Sequence, residues 1–195
     1  MLIKFIFIGF LVAIPAIIVL EWIYQMIRAL VLRLRFDRNL KLICIRNDYK
    51  INRTRPFVAS FFKHSSKPDL VVATPNAEYL IRFITCRNKG RSYHFPTSEY
   101  YVSSLRSTHV MSGTNLNVLT SFKHIPSITP CFLTDTNAVK KVQILLFNPS
   151  PREISYVNAE KNKKEFAHSG TAYENVIFYD ASGFLDFLRK GEIVN

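Results

Sequence analysis

The chain has 195 residues, which leaves room for one domain and a membrane anchor but hardly for two domains, because single cores typically occupy roughly 100 to 200 residues. Hydrophobic residues make up 48% of it, and with sixteen Phe and nine Tyr they exclude disorder for the bulk of the chain. The net charge of +12 is uneven. Residues 1–67 hold twelve Lys and Arg against three acidic residues, whereas the rest holds fourteen against eleven. This distribution favours anionic lipid or membrane topology, and not a nucleic-acid-binding domain, as the explanation of the basic segment.

The chain begins with a long apolar segment. Residues 5–27 form a run of 23 residues in which Glu21 is the only charged side chain. A helix needs roughly 20 residues to cross the hydrocarbon core, so the length predicts a membrane-spanning helix. Trp22 and Tyr24 lie where an aromatic belt is expected at the membrane interface. A cleaved signal peptide and a buried core helix are the alternatives, and the length of the uncharged run is unusual for both.

Basic residues follow this segment. Lys4 is the only charged side chain that precedes it. Five basic residues come within fifteen positions after it, namely Arg28, Arg33, Arg35, Arg38 and Lys41. The positive-inside rule therefore predicts a single-pass protein of the cell membrane with a cytoplasmic C-terminal domain. Residues 28–36 are amphipathic and are expected to prolong the helix, with their arginines reaching lipid phosphates, so membrane lipids are the first expected partner.

The remainder of the chain predicts one soluble α/β domain. We divide the chain into an anchor with a basic juxtamembrane helix, residues 1–38, and a domain, residues 39–195. A short helix is expected at 39–47, and a helix capped by Ser182 is expected to end at Lys190, before Gly191. Apolar or alternating runs predict strands at 49–55, 57–62, 70–73, 78–86, 93–95, 100–102, 139–147, 153–157 and 175–179.

Three further expectations concern the second half of the chain. Residues 103–137 show no clean period and are expected to be irregular, with edge strands. The strand at 153–157 is expected to pair back onto the strand at 139–147. Residues 161–165 (KNKKE) are expected to form an exposed loop tip.

The most distinctive pattern is a hairpin in the middle of the chain. Pro68 and Asp69 open the strand LVVA, which leads through the turn TPNA into the strand EYLIRFITC. In the stretch KPDLVVATPNAEYLIRFITCRNKG this arrangement resembles the central motif of the restriction-endonuclease-like fold, in particular of nuclease-related domains. The stretch NVIFYDASGFLDFLRKG is similar to the strand and helix that close such domains. The resemblance covers residues 39–188 and implies an α/β domain built on a mixed sheet.

This resemblance assigns roles to three positions. Asp69 matches the metal-binding aspartate, Arg82 stands where the family has its glutamate, and Ile84 stands where it has its lysine. In such nucleases paired carboxylates hold a divalent cation and the lysine orients or activates the water. An arginine repels the cation and an isoleucine offers the water no hydrogen bond, so we expect no catalysis and no cofactor. An ion pair between Asp69 and Arg82 is expected in the vacated site; an ordinary turn and an ordinary strand residue are the simpler explanations.

Other chemistries have little support. Cys44, Cys86 and Cys131 form no CxxC pair and are expected to be buried thiols. The histidines lack metal-binding spacing; they are His64, His94, His109, His124 and His168. Residues 168–170 (HSG) and 180–182 (DAS) contain catalytic residue types, but a turn and a helix cap explain them better.

Three functions remain open on this basis. The favoured one is a membrane-tethered, non-catalytic domain that binds a protein or another ligand. The alternative is a metal-dependent nuclease or phosphodiesterase with relocated catalytic groups, using Asp69, Glu78 and Lys89 with Mg²⁺ or Mn²⁺. The third makes the basic residues 28–67 a nucleic-acid-binding surface, whose affinity should fall steeply with salt.

Overall fold

The computed structural model describes residues 2–56, 65–86, 90–106, 117–125, 140–158 and 163–191. Side chains are described throughout these ranges except at residues 2–12, 14, 105–106 and 117–122. The predicted strand at 57–62, Cys131, His64, His109 and Lys89 lie outside the described residues.

Helix α1 runs from Leu2–Arg46 without interruption. It crosses the predicted division between residues 38 and 39, and the separate short helix expected at 39–47 is its last part. Its described portion from Pro15 is long and apolar enough to cross a membrane, and this portion is largely exposed, as a spanning helix or a signal sequence would be. Near its C-terminal end, Phe36, Leu40 and Ile43 instead face the domain and are buried.

The described residues form eleven strands. They are β1 (Lys50–Asn52), β2 (Leu70–Ala73), β3 (Ala77–Ile84), β4 (Arg91–Thr97), β5 (Tyr100–Arg106), β6 (Asn117–His124), β7 (Lys140–Phe147), β8 (Glu153–Asn158), β9 (Lys163–Ala167), β10 (Thr171–Tyr173) and β11 (Val176–Asp180). The predicted hairpin is the antiparallel pair β2–β3, in which Leu70 faces Ile81 and Ala73 faces Glu78.

The strands are arranged in two sheets. The first has the order β1-β2-β3-β7-β11-β10 and is mixed, since β3, β7 and β11 are parallel and the others antiparallel. The second has the order β6-β5-β4-β8-β9. The α/β class with a mixed sheet is therefore confirmed, whereas a second sheet was not expected.

Two expectations about the second sheet were wrong. Strand β8 does not pair with β7; it lies parallel to β4, because the chain turns away after Phe147 and the Arg152 N–H donates to the Arg91 carbonyl, 3.1 Å away. The segment expected as a loop tip contributes to β9, which pairs with β8 and places the Tyr156 hydroxyl 2.9 Å from Glu165 Oε2.

The first sheet lies between two buried layers because its side chains alternate. Tyr79, Ile81 and Phe83 of β3 pack with α1 and with the C-terminal helix, α2 (Ala181–Lys190). Phe147 and Phe178 on the other face pack against the second sheet. Helices therefore cover one face, and the second sheet covers part of the other.

Helix α2 begins two residues earlier than predicted. Its N-cap is Asp180, whose carboxylate accepts the Gly183 N–H at 2.7 Å, so Ser182 is not the cap. The Asp180 side chain is long enough to reach this amide. The Ser182 hydroxyl instead contacts the cap, and lies 3.3 Å from Asp180 Oδ1. Gly191 ends the helix in the left-handed conformation with φ of 65°, as its position predicted.

Candidate functional site

Asp69 lies at the start of β2 and is almost fully buried, with 1% of its surface exposed. Its backbone N–H donates to the Ile81 carbonyl at 2.9 Å, which extends the β2–β3 ladder by one residue. Both side-chain oxygens have donors: Oδ1 accepts from Arg55 Nη1 at 2.7 Å, and Oδ2 accepts from the Phe83 N–H at 2.9 Å. The carboxylate is thus held on both sides.

Arg82 is also buried, with 2% exposed. It lies on β3 next to Asp69, and its Nη2 donates to the Ser65 carbonyl at 2.5 Å. Its positive charge acts to lower the pKa of Asp69, which is the direction that an ion pair would give. The hydrogen bond to Asp69 Oδ1, however, comes from Arg55. Arg55 was missed: a strand was predicted over residues 49–55, but β1 ends at Asn52 and Arg55 lies in the loop that follows it, so no local pattern indicated its partner.

Arg33 approaches the same carboxylate from α1. It was expected to contact lipid phosphates, but only 1% of it is exposed and its guanidinium stacks over the Phe83 ring. The reason is helical spacing, since positions 33, 36 and 40 lie on the face that packs on the sheet. Asp37, one turn on, lies 3.9 Å from Arg33 Nε and forms a 2.5 Å ion pair with Arg53.

We call Asp69, Arg33, Arg55 and Arg82 the Asp69 cluster. Burial raises the pKa of Asp69, and this outweighs the lowering by the Phe83 N–H and by the arginines. Burial also lowers the pKa of Arg33 and Arg82, while Asp69 opposes this shift in both. The cluster is therefore a desolvated centre in which three cations surround one carboxylate.

Such a centre does not fit a divalent metal ion, which needs several oxygen ligands and an excess of negative charge. Glu78, the other carboxylate of the alternative nuclease hypothesis, pairs in register with Ala73. It lies four strand positions from Arg82, or roughly 13 Å along β3. Among the residues that the structure describes, no group of three His, Cys, Asp or Glu is placed to hold a metal. Ile84, at the position of the family's lysine, is buried beside Phe147.

The remaining catalytic residue types are in structural positions. Ser169 Oγ lies 3.2 Å from Asp180 Oδ1, so the HSG and DAS segments do meet, but this carboxylate is the cap of α2. His94 Nδ1 lies 3.1 Å from Ser155 Oγ within the second sheet. Cys44 and Cys86 are free buried thiols, as expected, and burial raises the pKa of Cys44 to about 11.

The residues expected at the membrane interface lie on α1. Trp22 and Tyr24 are 51% and 60% exposed, which suits contact with lipid headgroups. Arg35 is exposed and Arg28 is half-buried, in contrast to Arg33. Of these three arginines, therefore, only Arg28 and Arg35 have surface that is accessible from outside.

Comparison with known proteins identified no relative of this chain. No protein-family model matches the chain, and no curated protein or solved structure is significantly similar to it. The functional proposal consequently depends on the residues and contacts described above.

Proposed function

We propose that this chain is a membrane-tethered, non-catalytic binding domain with a degenerate restriction-endonuclease-like fold, acting at the cytoplasmic face of the membrane. The observation that carries the proposal is the Asp69 cluster. The aspartate that would bind a metal in such a nuclease is buried and is held by Arg55 and the Phe83 N–H. The positions expected to supply a second carboxylate and a lysine hold Arg82 and Ile84.

The order of elements supports the finer fold assignment. Helix α1 packs on the antiparallel strands β1, β2 and β3, and then the parallel strands β7 and β11 extend the same sheet. Helix α2 follows β11 and covers the same face as α1. These are the elements that the resemblance implies for residues 39–188; the second sheet would be an addition to that core.

The tether supports an action close to the membrane. Phe36 in the domain core follows Ile27, the last residue of the apolar run, by nine steps of continuous helix, or roughly 14 Å. A domain joined in this way stays next to the bilayer surface, where lipids and membrane proteins are its accessible partners. Nucleic acid is less favoured, because Arg33, Arg53 and Arg55 contact acidic side chains of the chain itself.

The test is a cleavage assay on the full chain in lipid nanodiscs, with Mg²⁺ or Mn²⁺ and with DNA and RNA substrates. We expect no cleavage above that of empty nanodiscs. The two variants to compare are Asp69→Asn and, as a matched control, Asp186→Asn, which alters an exposed carboxylate on α2. Metal-dependent cleavage that Asp69→Asn removes and Asp186→Asn leaves intact would overturn the proposal in favour of the relocated nuclease.

A further inference from the structure

A cavity of about 740 Å³ lies between α1 and the loop that follows β7. On the α1 side it is lined by Tyr24, Arg28, Val31 and Arg35, which are spaced by four, three and four residues and so form one stripe of the helix. On the other side are the loop residues 148–150 and the first two residues of α2. The cavity thus begins at the end of the apolar run and extends along the cytoplasmic continuation of α1.

The two arginines give the cavity a positive charge. Among the described residues, neither Arg28 nor Arg35 has an ion-pair partner, in contrast to Arg33 on the opposite side of the helix. The nearby carboxylate of Asp180 accepts hydrogen bonds from Gly183 N–H and Ser182, at 2.7 and 3.3 Å, and lies 3.4 Å from Ser150 Oγ. It is therefore bound to the start of α2, so that the helix terminus is occupied by the chain's own anion.

The opposite wall is held in place by α1 itself. Asn148 is buried and its Nδ2 donates to the Leu32 carbonyl at 3.5 Å. This contact fixes the loop against the helix, and the exposed Ser150 adds a further polar residue to the lining. A positive, partly polar cavity is open next to an apolar helix surface formed by Tyr24, Ile27 and Val31.

We infer that this cavity binds the phosphate headgroup of an anionic phospholipid, whose acyl chains lie along the apolar part of α1. Arg28 follows the apolar run directly and lies at the level of the headgroups, which extend roughly 5 to 8 Å from the hydrocarbon core. Arg35 is two turns further on, but side chains of a helix lean toward its N-terminus, so its long side chain reaches back toward the bilayer. The inference rests on the membrane-tethering part of the proposed function.

Charge decides which lipid is preferred. A basic side chain near a bilayer surface contributes about fivefold to the affinity for an anionic lipid. Zwitterionic phosphatidylcholine also carries a phosphate, but its choline repels the second arginine, so the preference of this cavity is for a lipid with a net negative headgroup.

The single tryptophan of the chain permits a local measurement. Trp22 and position 24 are at nearly the same depth but roughly 160° apart around the helix, so only position 24 faces the cavity. Full-length chain would be reconstituted in vesicles containing brominated phosphatidylglycerol or brominated phosphatidylcholine, which quench tryptophan on contact. The natural Trp22 reports the far side of the helix, and the variant Trp22→Phe/Tyr24→Trp reports the cavity side.

We expect phosphatidylglycerol to quench the tryptophan at position 24 at least about threefold more effectively than phosphatidylcholine, with little difference at Trp22. Adding Arg28→Gln/Arg35→Gln should abolish the preference at position 24. The matched control, Arg38→Gln/Lys41→Gln, removes the same charge from exposed positions of α1 outside the cavity and should preserve it. Inorganic phosphate at millimolar concentration should not displace the lipid.

Other results would overturn the inference. One such result is that phosphatidylglycerol is the better quencher to the same degree at positions 22 and 24; another is that it remains the better quencher at position 24 after Arg28→Gln/Arg35→Gln. Either result would indicate that the anionic lipid is attracted to the basic surface of the chain in general and not to the cavity. Displacement by inorganic phosphate would indicate a soluble anion as the ligand, and cysteine cross-linking between two chains at position 31 would indicate that a second copy fills the cavity. Extraction of the wild-type chain from membranes by alkaline carbonate would instead refute the tether, which separates failure of the proposed function from failure of the lipid site.

Discussion

Asp69 and Arg55 form a buried ion pair at the start of β2, with Arg55 Nη1 2.7 Å from Asp69 Oδ1. The pair is buried, with 2% and 12% of the two side chains exposed. Buried ion pairs add little stability relative to apolar residues, but removing one partner leaves a desolvated charge behind. The sequence suggested an ion pair of Asp69 with Arg82; Arg82 does lie next to Asp69, but the described ion pair of Asp69 is with Arg55. Arg33 and Arg55 come from a helix and a loop, whose positions depend on long-range packing.

The first prediction follows from this pair. Arg55→Met should lower the free energy of unfolding by roughly 3 kcal/mol, because Asp69 loses its strongest donor while remaining buried. The double variant Arg55→Met/Asp69→Asn should lose less free energy of unfolding than the sum of the losses in the two single variants. Urea unfolding of the full chain in mild detergent measures all three. The exposed pair of Arg189 and Asp186 is the control, and Arg189→Met should change stability by less than about 0.5 kcal/mol.

The buried thiols provide a prediction for pH. Burial raises the pKa of Cys44 to about 11 and that of Cys86 to about 12, from ordinary values near 9. Because only the thiolate reacts, both should alkylate far more slowly in the folded chain than in urea at pH 8.5. Their folded pKa values lie above the unfolded ones, so the stability they contribute is complete below pH 9 and declines as pH rises toward 11 and 12.

Peptide mapping after a short pulse of iodoacetamide at pH 8.5 measures the two thiols separately. Labelling of Cys44 or Cys86 at the same rate in folded and unfolded chain would contradict their burial. The matching measurement is the free energy of unfolding at a series of pH values between 8 and 11. Cys44→Ala should make this free energy decline less as the pH rises.

Individual elements were easier to predict than their partners. Strands β2, β3, β7 and β11 were found within a few residues, because buried strands form short apolar runs with clear turns beside them. The pairing of β4 with β8 was missed, since it joins Ser92 to Glu153 across much of the chain and no local period encodes a partner. The continuity of α1 was missed because its N-terminal part is an apolar run, whereas its C-terminal part buries one face on the sheet, so the two parts have different sequence patterns.

Helix α2 supplies a prediction at this scale. A Cβ built at Gly183 would lie 2.0 Å from Ser169 Oγ and 2.7 Å from Ser169 Cβ, so Gly183→Ala must displace the turn that meets the cap. We expect a loss of roughly 1 to 3 kcal/mol in the free energy of unfolding, although alanine favours helix by about 1 kcal/mol. Adding Ser169→Gly removes both contacts and should restore part of the loss, as measured by urea unfolding. A stabilising Gly183→Ala would show that the turn is free to move.

At the scale of the molecule, the N-terminal apolar run and the domain share one helix. Phe36 packs edge-on against Phe83 with ring centroids 5.6 Å apart, and Arg33 covers the same ring. The division between residues 38 and 39 suggested by composition therefore crosses a helix whose residues on both sides belong to the core. Composition shows where the apolar run ends, but it does not show which residues of the helix pack on the sheet.

Truncation tests this coupling. Removing residues 1–38 deletes Arg33 and Phe36 from the core and should cost at least about 3 kcal/mol, comparable to a large core truncation. Removing only residues 1–27 leaves both in place and should preserve a cooperative unfolding transition. Circular dichroism during thermal unfolding distinguishes the two. Equal stability of the two fragments would show that the end of α1 contributes nothing to the domain.

In a membrane, the unbroken α1 would make the inclination of the domain depend on the thickness of the bilayer. The apolar run of 23 residues is roughly 34 Å long as a helix, slightly more than a typical hydrocarbon core of about 30 Å. A helix that is too long for its bilayer leans over. Because no hinge lies between the run and the core, the whole domain would lean with it, further in a thin membrane than in a thick one, and the same surface would meet the headgroups at a different inclination in each.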